Sequence, residues 1–159
     1  MDEMYRTYLE LLESLRENLV QLTELAQLKT AAAHHDDLLA LNEVLRQEQA
    51  SSLTFRGLEL KREKQMKELG VSDLALSELP ECYPEALRGE AQATVEALQK
   101  AYRAYRSASE ESRTALEHEI QEIDQHLKSL GVDPDEEGRA GYAAPPSDTP
   151  PSMKTDFRA

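Results

Sequence analysis

The chain has no tryptophan, and only two phenylalanines among 159 residues. Aromatic residues make up 5 % of it against 40 % hydrophobic overall. That balance suits thin helix-on-helix seams built from leucine better than a thick globular core. Cysteine is nearly absent: Cys82 stands alone, so no internal disulfide forms, which fits a reducing cytoplasm. Basic residues are in deficit, 18 against 31 acids, for a net charge of −13. A nucleic-acid interface needs a basic face, as does attraction to an anionic membrane surface, so neither is an expected partner. No stretch approaches ~20 consecutive apolar residues, so no membrane span is expected. The opening "MDEMYRTYLELLE" is acidic and lacks the basic and apolar regions of a signal peptide. Glycine and proline together number 13 (6 and 7), mostly late in the chain, so the rest is almost free of helix breakers.

What remains is helical periodicity. Tyr5, Tyr8, Leu12, Leu15, Leu19, Leu22 and Ala26 step 3-4-3-4-3-4, an uninterrupted heptad seam on a helix over about 2–33. Leu9, Leu11, Val20, Leu25 and Leu28 lie off that seam and widen the apolar face, as in a bundle helix. "AHHDD" interrupts the pattern, and Asp36 or Asp37 can cap a second helix that runs to Leu69 and stops at Gly70. Its seam is Leu38, Leu41, Leu45, the weak positions Glu48 and Ser52, then Phe55, Leu58, Met66 and Leu69. So short a connection makes the two helices an antiparallel hairpin. Gly57, in the middle of the second helix, is either a surface glycine or a point of close approach or kinking.

"VSDLALSELPECYP" reads as a connector, with Ser72 capping a short helical turn through Leu79, ended by Pro80. A third helix follows over about 84–130. Val95, Leu98, Tyr102, Tyr105, Ser109, Ser112 and Leu116 continue the heptad step, followed by Ile120, Ile123, Leu127 and Leu130. Its start, "LRGEAQAT", offers little to bury, and "SASEES" makes a polar waist. It exceeds the hairpin in length, so it either breaks at the waist or projects at one end. The expected fold is therefore all-α: a long antiparallel hairpin plus a long third helix in one domain, 1–131. Residues 132–159 are acidic, then rich in Pro, Gly and small residues, and are expected to form a disordered tail.

Catalytic patterns are missing: no phosphate-cradling glycine loop, CxxC pair, HExxH or Glu-x-x-His. No enzyme, cofactor or metal is expected. His118, Glu122 and His126 share one helical face, but their neighbours occupy the seam, so they are expected to face water. His34 and His35 fall in the turn. Lys61, Arg62, Lys64 and Lys67 sit near a helix C-terminus, where cations complement the dipole. The third helix, long and interrupted, has apolar seam that the hairpin need not cover. Such a stripe binds a partner or a second copy of the chain.

Three stretches together resemble the FlgN-type flagellar export chaperones: "MDEMYRTYLELLESLRENLVQLTELAQLKTAA", "DDLLALNEVLRQEQASSLTFRGLELKREKQMKELG" and the ending "KTDFRA". The likeness covers roughly residues 1–130 in pattern and the short ending. It implies a cytoplasmic, non-enzymatic chaperone of flagellum biogenesis that needs no cofactor. Such proteins hold the C-terminal amphipathic segment of hook–filament junction proteins and deliver them to the cytosolic domain of the export-gate membrane protein. They use their C-terminal helical region for the client. That points to Val95, Leu98, Tyr102, Tyr105, Leu116, Ile120, Ile123 and Leu127 as the client groove. Beyond the last helix, family members carry a tyrosine near glycine that engages the gate. "AGYAAP" places Tyr142 there, with Ala143 and Ala144 where a glycine usually follows. The competing expectation is a dimeric coiled-coil adaptor with no export role, in which a homodimer covers the same stripe.

Overall fold

The computed structural model describes residues 2–131. The expected tail, with Tyr142, lies outside the described residues. The elements are α1 (Asp2–His34), α2 (Leu38–Leu69), a 3-10 turn (Leu76–Cys82) and α3 (Glu85–Ser129). No strand occurs among the described residues, and the all-α expectation holds.

Local chemistry sets the boundaries. Asp2 and Glu3 occupy the first turn of α1, where carboxylates favour the positive dipole end. The hairpin turn places Asp36 at φ +53°, left-handed backbone that aspartate tolerates better than most residues. Asp37 is the residue that caps α2, its Oδ1 accepting from the Ala40 N–H at 3.1 Å. At the other end Gly70 adopts φ +73°, and Val71 N–H reaches back to the Met66 carbonyl at 2.9 Å. That pairing satisfies carbonyls the helix leaves open. The connector departs from expectation: Pro80 lies inside the 3-10 turn, which begins at Leu76 and runs past Leu79 to Cys82. A 3-10 turn has few internal N–H bonds for a proline to break. Gly57 is exposed and nothing lies within 4 Å of where a Cβ would sit, so it is a surface glycine.

α1 is the central helix. Its seam residues Tyr8, Leu12, Leu15, Leu19 and Leu22 are fully buried in one cluster with Phe55 and Met66 of α2 and Leu87, Val95, Leu98 and Tyr105 of α3. Among the described residues the α2 and α3 backbones do not come within 8 Å of each other, while α1 packs on both. The fold is thus a hairpin with a third helix laid along α1.

The two interfaces of α1 differ in chemistry. Toward α3 it is largely apolar, with Gln99, Ser109 and Ser112 also buried. It is closed at its base by Tyr83, whose ring lies tilted against Tyr5 with centroids 4.6 Å apart and whose hydroxyl donates to the Tyr5 carbonyl at 3.1 Å. Toward α2 it carries polar rungs. Asn18 Nδ2 donates to the Ser51 carbonyl at 3.3 Å and to its hydroxyl at 3.2 Å. Lys29 Nζ, fully buried, meets Glu48 Oε1 at 2.9 Å, so the weak seam position Glu48 is the partner of a buried cation. Arg62 and Glu59, each 1 % exposed, form a forked pair with contacts of 3.0 and 2.8 Å. Arg62 is therefore a core residue, in contrast to the surface cation its neighbours Lys61 and Lys64 suggest. Burial works against its charge, but Glu59 and Tyr8 together outweigh that and hold its pKa above the usual arginine value. The nearby Tyr8 hydroxyl is pushed up, chiefly by burial.

α3 stays continuous through the polar waist. Ala108, Ser109, Ser112 and Ala115 are all buried there, small side chains that let helices approach closely. The same holds at its start, where Ala91 is fully buried beside Leu87. With 45 residues α3 is ~67 Å long, against ~50 Å for the 33 residues of α1. It runs parallel to α1, since Tyr83 meets Tyr5 at one end and Glu119 meets Asp36 at the other. The excess length emerges at the hairpin tip.

Candidate functional site

Burial along the α3 seam declines towards its C-terminal end. Val95, Leu98 and Tyr105 are fully buried, Leu116, Ile120 and Leu127 half-buried, and Ile123 is 56 % exposed. The reason is geometric: the hairpin ends at Asp36, level with Glu119, and the seam continues for about three more turns. Between these turns and the tip lies a groove of about 330 Å³. Ala32 and Ala33 at the end of α1, and Leu38 and Leu41 at the start of α2, face Leu116, Ile120, Ile123 and Leu127 across it. Its rim carries Asp36, Asp37, Glu119 and Asp124.

The rim is electrostatically crowded. Glu119 lies where its carboxyl can hydrogen-bond that of Asp36, a bond that forms only with a proton between the two. That bond holds the Glu119 pKa above the usual glutamate value. The Asp36 and Glu122 charges add to the effect, and His118 opposes it. His118 itself lies 3.1 Å from Glu122 on the exposed face of α3. Among the described residues no group of three or more His, Cys, Asp and Glu side chains is placed to hold a metal ion. No helix among them is long and apolar enough to cross a membrane.

The eight residues expected to form a client groove thus divide into two sets. Leu116, Ile120, Ile123 and Leu127 are brought together around an open cavity. Val95, Leu98 and Tyr105 are occupied inside the monomer, and Tyr102 packs half-buried against the same cluster. The expectation missed the wall from the hairpin: Ala32, Ala33, Leu38 and Leu41. A signal was present in Leu38 and Leu41, apolar residues directly after the Asp37 cap at the tip of the hairpin.

No curated protein and no solved structure shows significant similarity to the chain. A family model described as "FlgN protein" matches residues 4–144, nearly the whole chain, including all three long helices and continuing past Gly131 through Tyr142. With that match over a three-helix body, the chain belongs to the FlgN family of flagellar export chaperones.

Proposed function

We propose that the chain works in the cytoplasm, holding the C-terminal amphipathic segment of hook–filament junction proteins before export. It then delivers them to the cytosolic domain of the export-gate membrane protein. The observation that carries this reading is the open apolar groove at the hairpin tip, lined by Leu116, Ile120, Ile123 and Leu127. An amphipathic helix laid in an apolar groove is a recurring mode of recognition, read through anchors at i, i+3, i+4 and i+7. Covering the groove keeps the client's apolar face from self-association. Tyr142 is the proposed contact with the gate. Its inclusion in the family match supports that role.

The test is calorimetric binding of the C-terminal segment of a junction protein to the full chain and to an Ile123→Ala/Leu127→Ala variant. Both side chains are at least partly exposed, so the variant keeps its melting temperature. Affinity is expected to fall at least about tenfold, or about 1.4 kcal/mol. A Leu53→Ala control, on the outer face of α2 and 62 % exposed, is expected to bind as the parent does. Equal affinity in the groove variant would remove the groove from client binding. Tyr142→Ala is expected to keep client affinity and lose capture by the gate domain. Retained capture would end the role given to Tyr142.

A further inference from the structure

The groove at the hairpin tip is apolar inside and acidic at its rim, with Asp36, Asp37, Glu119 and Asp124 around it. An occupant that matches both features needs large apolar side chains flanked by cations. Residues 132–151 carry five acids against one base, whereas 152–159 carry two bases against one acid. Within this second stretch, "SMKTDFRA", Met153 and Phe157 are spaced i, i+4, and so are Lys154 and Arg158. On one helical turn that spacing sets the two apolar side chains together and the two cations together beside them. Ser152 stands just before the turn, at the position of a capping residue. The family match covers residues 4–144 and does not include this segment.

We propose that Met153–Arg158 docks into the groove of its own chain when no client is bound, with Met153 and Phe157 against Ile120 and Ile123 and the two cations at the acidic rim. The connection suffices. The groove wall ends at Leu127, four residues before Gly131, and residues 132–152 can span up to ~70 Å, enough to turn back. Tethering supplies an effective concentration in the millimolar range, so a weak contact fills the groove. A cation at the rim also relieves the crowding between Asp36 and Glu119. The docked segment shields the exposed Ile123 and sets a threshold that a client must exceed.

Ile120 and Ile123 are the only isoleucines in the sequence, and both line the groove. Isoleucine δ1-methyl labelling of the full chain therefore reports on the groove with two resonances. The Met153→Ala/Phe157→Ala variant is expected to shift both, through loss of the Phe157 ring. A peptide of residues 150–159 added to that variant is expected to move them back. Lys154→Glu/Arg158→Glu should shift them partway in the same direction. Identical methyl positions in parent and variant would overturn the docking. A variant-dependent shift that fades on dilution would also overturn it, by assigning the segment to a second copy. Competition with a client rests on the proposed function. If the segment fills the groove nine-tenths of the time, its loss tightens client binding about tenfold. Methyl shifts with unchanged client affinity would leave the docking intact and place the client elsewhere.

Discussion

Arg62 shows what a single residue can conceal. It sits in "KREKQMK" among solvated lysines, yet it is buried with Glu59, and Met66 Sδ lies 3.2 Å from its Nη1. Removing one partner of a buried pair strands the other without compensation. Arg62→Ala is therefore expected to cost about 3–5 kcal/mol in urea unfolding, whereas Arg62→Met with Glu59→Leu should recover most of that loss. A double variant no more stable than the single one would show that packing, and not the stranded carboxylate, sets the cost. Ser112 is the opposite case. Its hydroxyl is fully buried without a hydrogen-bond partner, so Ser112→Ala should be neutral or stabilising by up to about 1 kcal/mol in the same assay. The heptad step marked Ser112 as a seam position, and that was legible. Burial of Arg62 was not, because periodicity places a residue on a face but does not say whether a carboxylate waits there to pair with it.

At the scale of elements, the hairpin and the extents of its helices could be read from caps and seams. Asp37 and Gly70 bound α2 as their chemistry predicts. The continuity of α3 could not be read, since "SASEES" looks like a weak waist until α1 is seen to accept small side chains closely. Gly57 offers a direct check on α2. It is exposed in mid-helix with open space at its Cβ, so Gly57→Ala should stabilise the chain by about 0.5–1 kcal/mol. A loss of stability would mean that another surface comes closer to α2 than the fold shows. The junction of α3 with the hairpin tip is pH-sensitive through Glu119. Its folded pKa lies above the ordinary value of 4.5, so the folded chain binds that proton more tightly than the unfolded chain. The stabilising contribution is present below the unfolded value and is lost as pH rises through the higher folded one. Amides of residues 116–123 should therefore be better protected in mild acid than at neutral pH, after correction for intrinsic exchange. Glu119→Gln should abolish that difference, and its persistence would place the titrating group elsewhere.

The whole molecule is organised by α1, which packs on both other helices while α2 and α3 stay apart. This arrangement was not legible in the sequence. The seams of α2 and α3 are both interrupted by polar positions, and nothing in the periodicity of α3 tells which half α1 will cover. That choice decided where the groove lies: α1 takes the stretch containing Val95, Leu98 and Tyr105, and the stretch containing Ile120, Ile123 and Leu127 overruns the tip. Stability should follow the same gradient, because local opening is governed by how many buried contacts a segment keeps. In hydrogen exchange of the full chain, amides of α3 between Leu87 and Ala115 should exchange near the rate of global unfolding, while those of 120–129, covered only by a weakly docked segment, should exchange faster. Binding of a client segment should slow the second set and leave the first unchanged, since the first already has its partner in α1. Uniform protection along α3 in the free chain would mean that the overrun has a tight cover. The Met153→Ala/Phe157→Ala variant then decides which: a cover formed by the chain's own segment is lost in that variant, and a cover formed by a second copy through other surfaces is not.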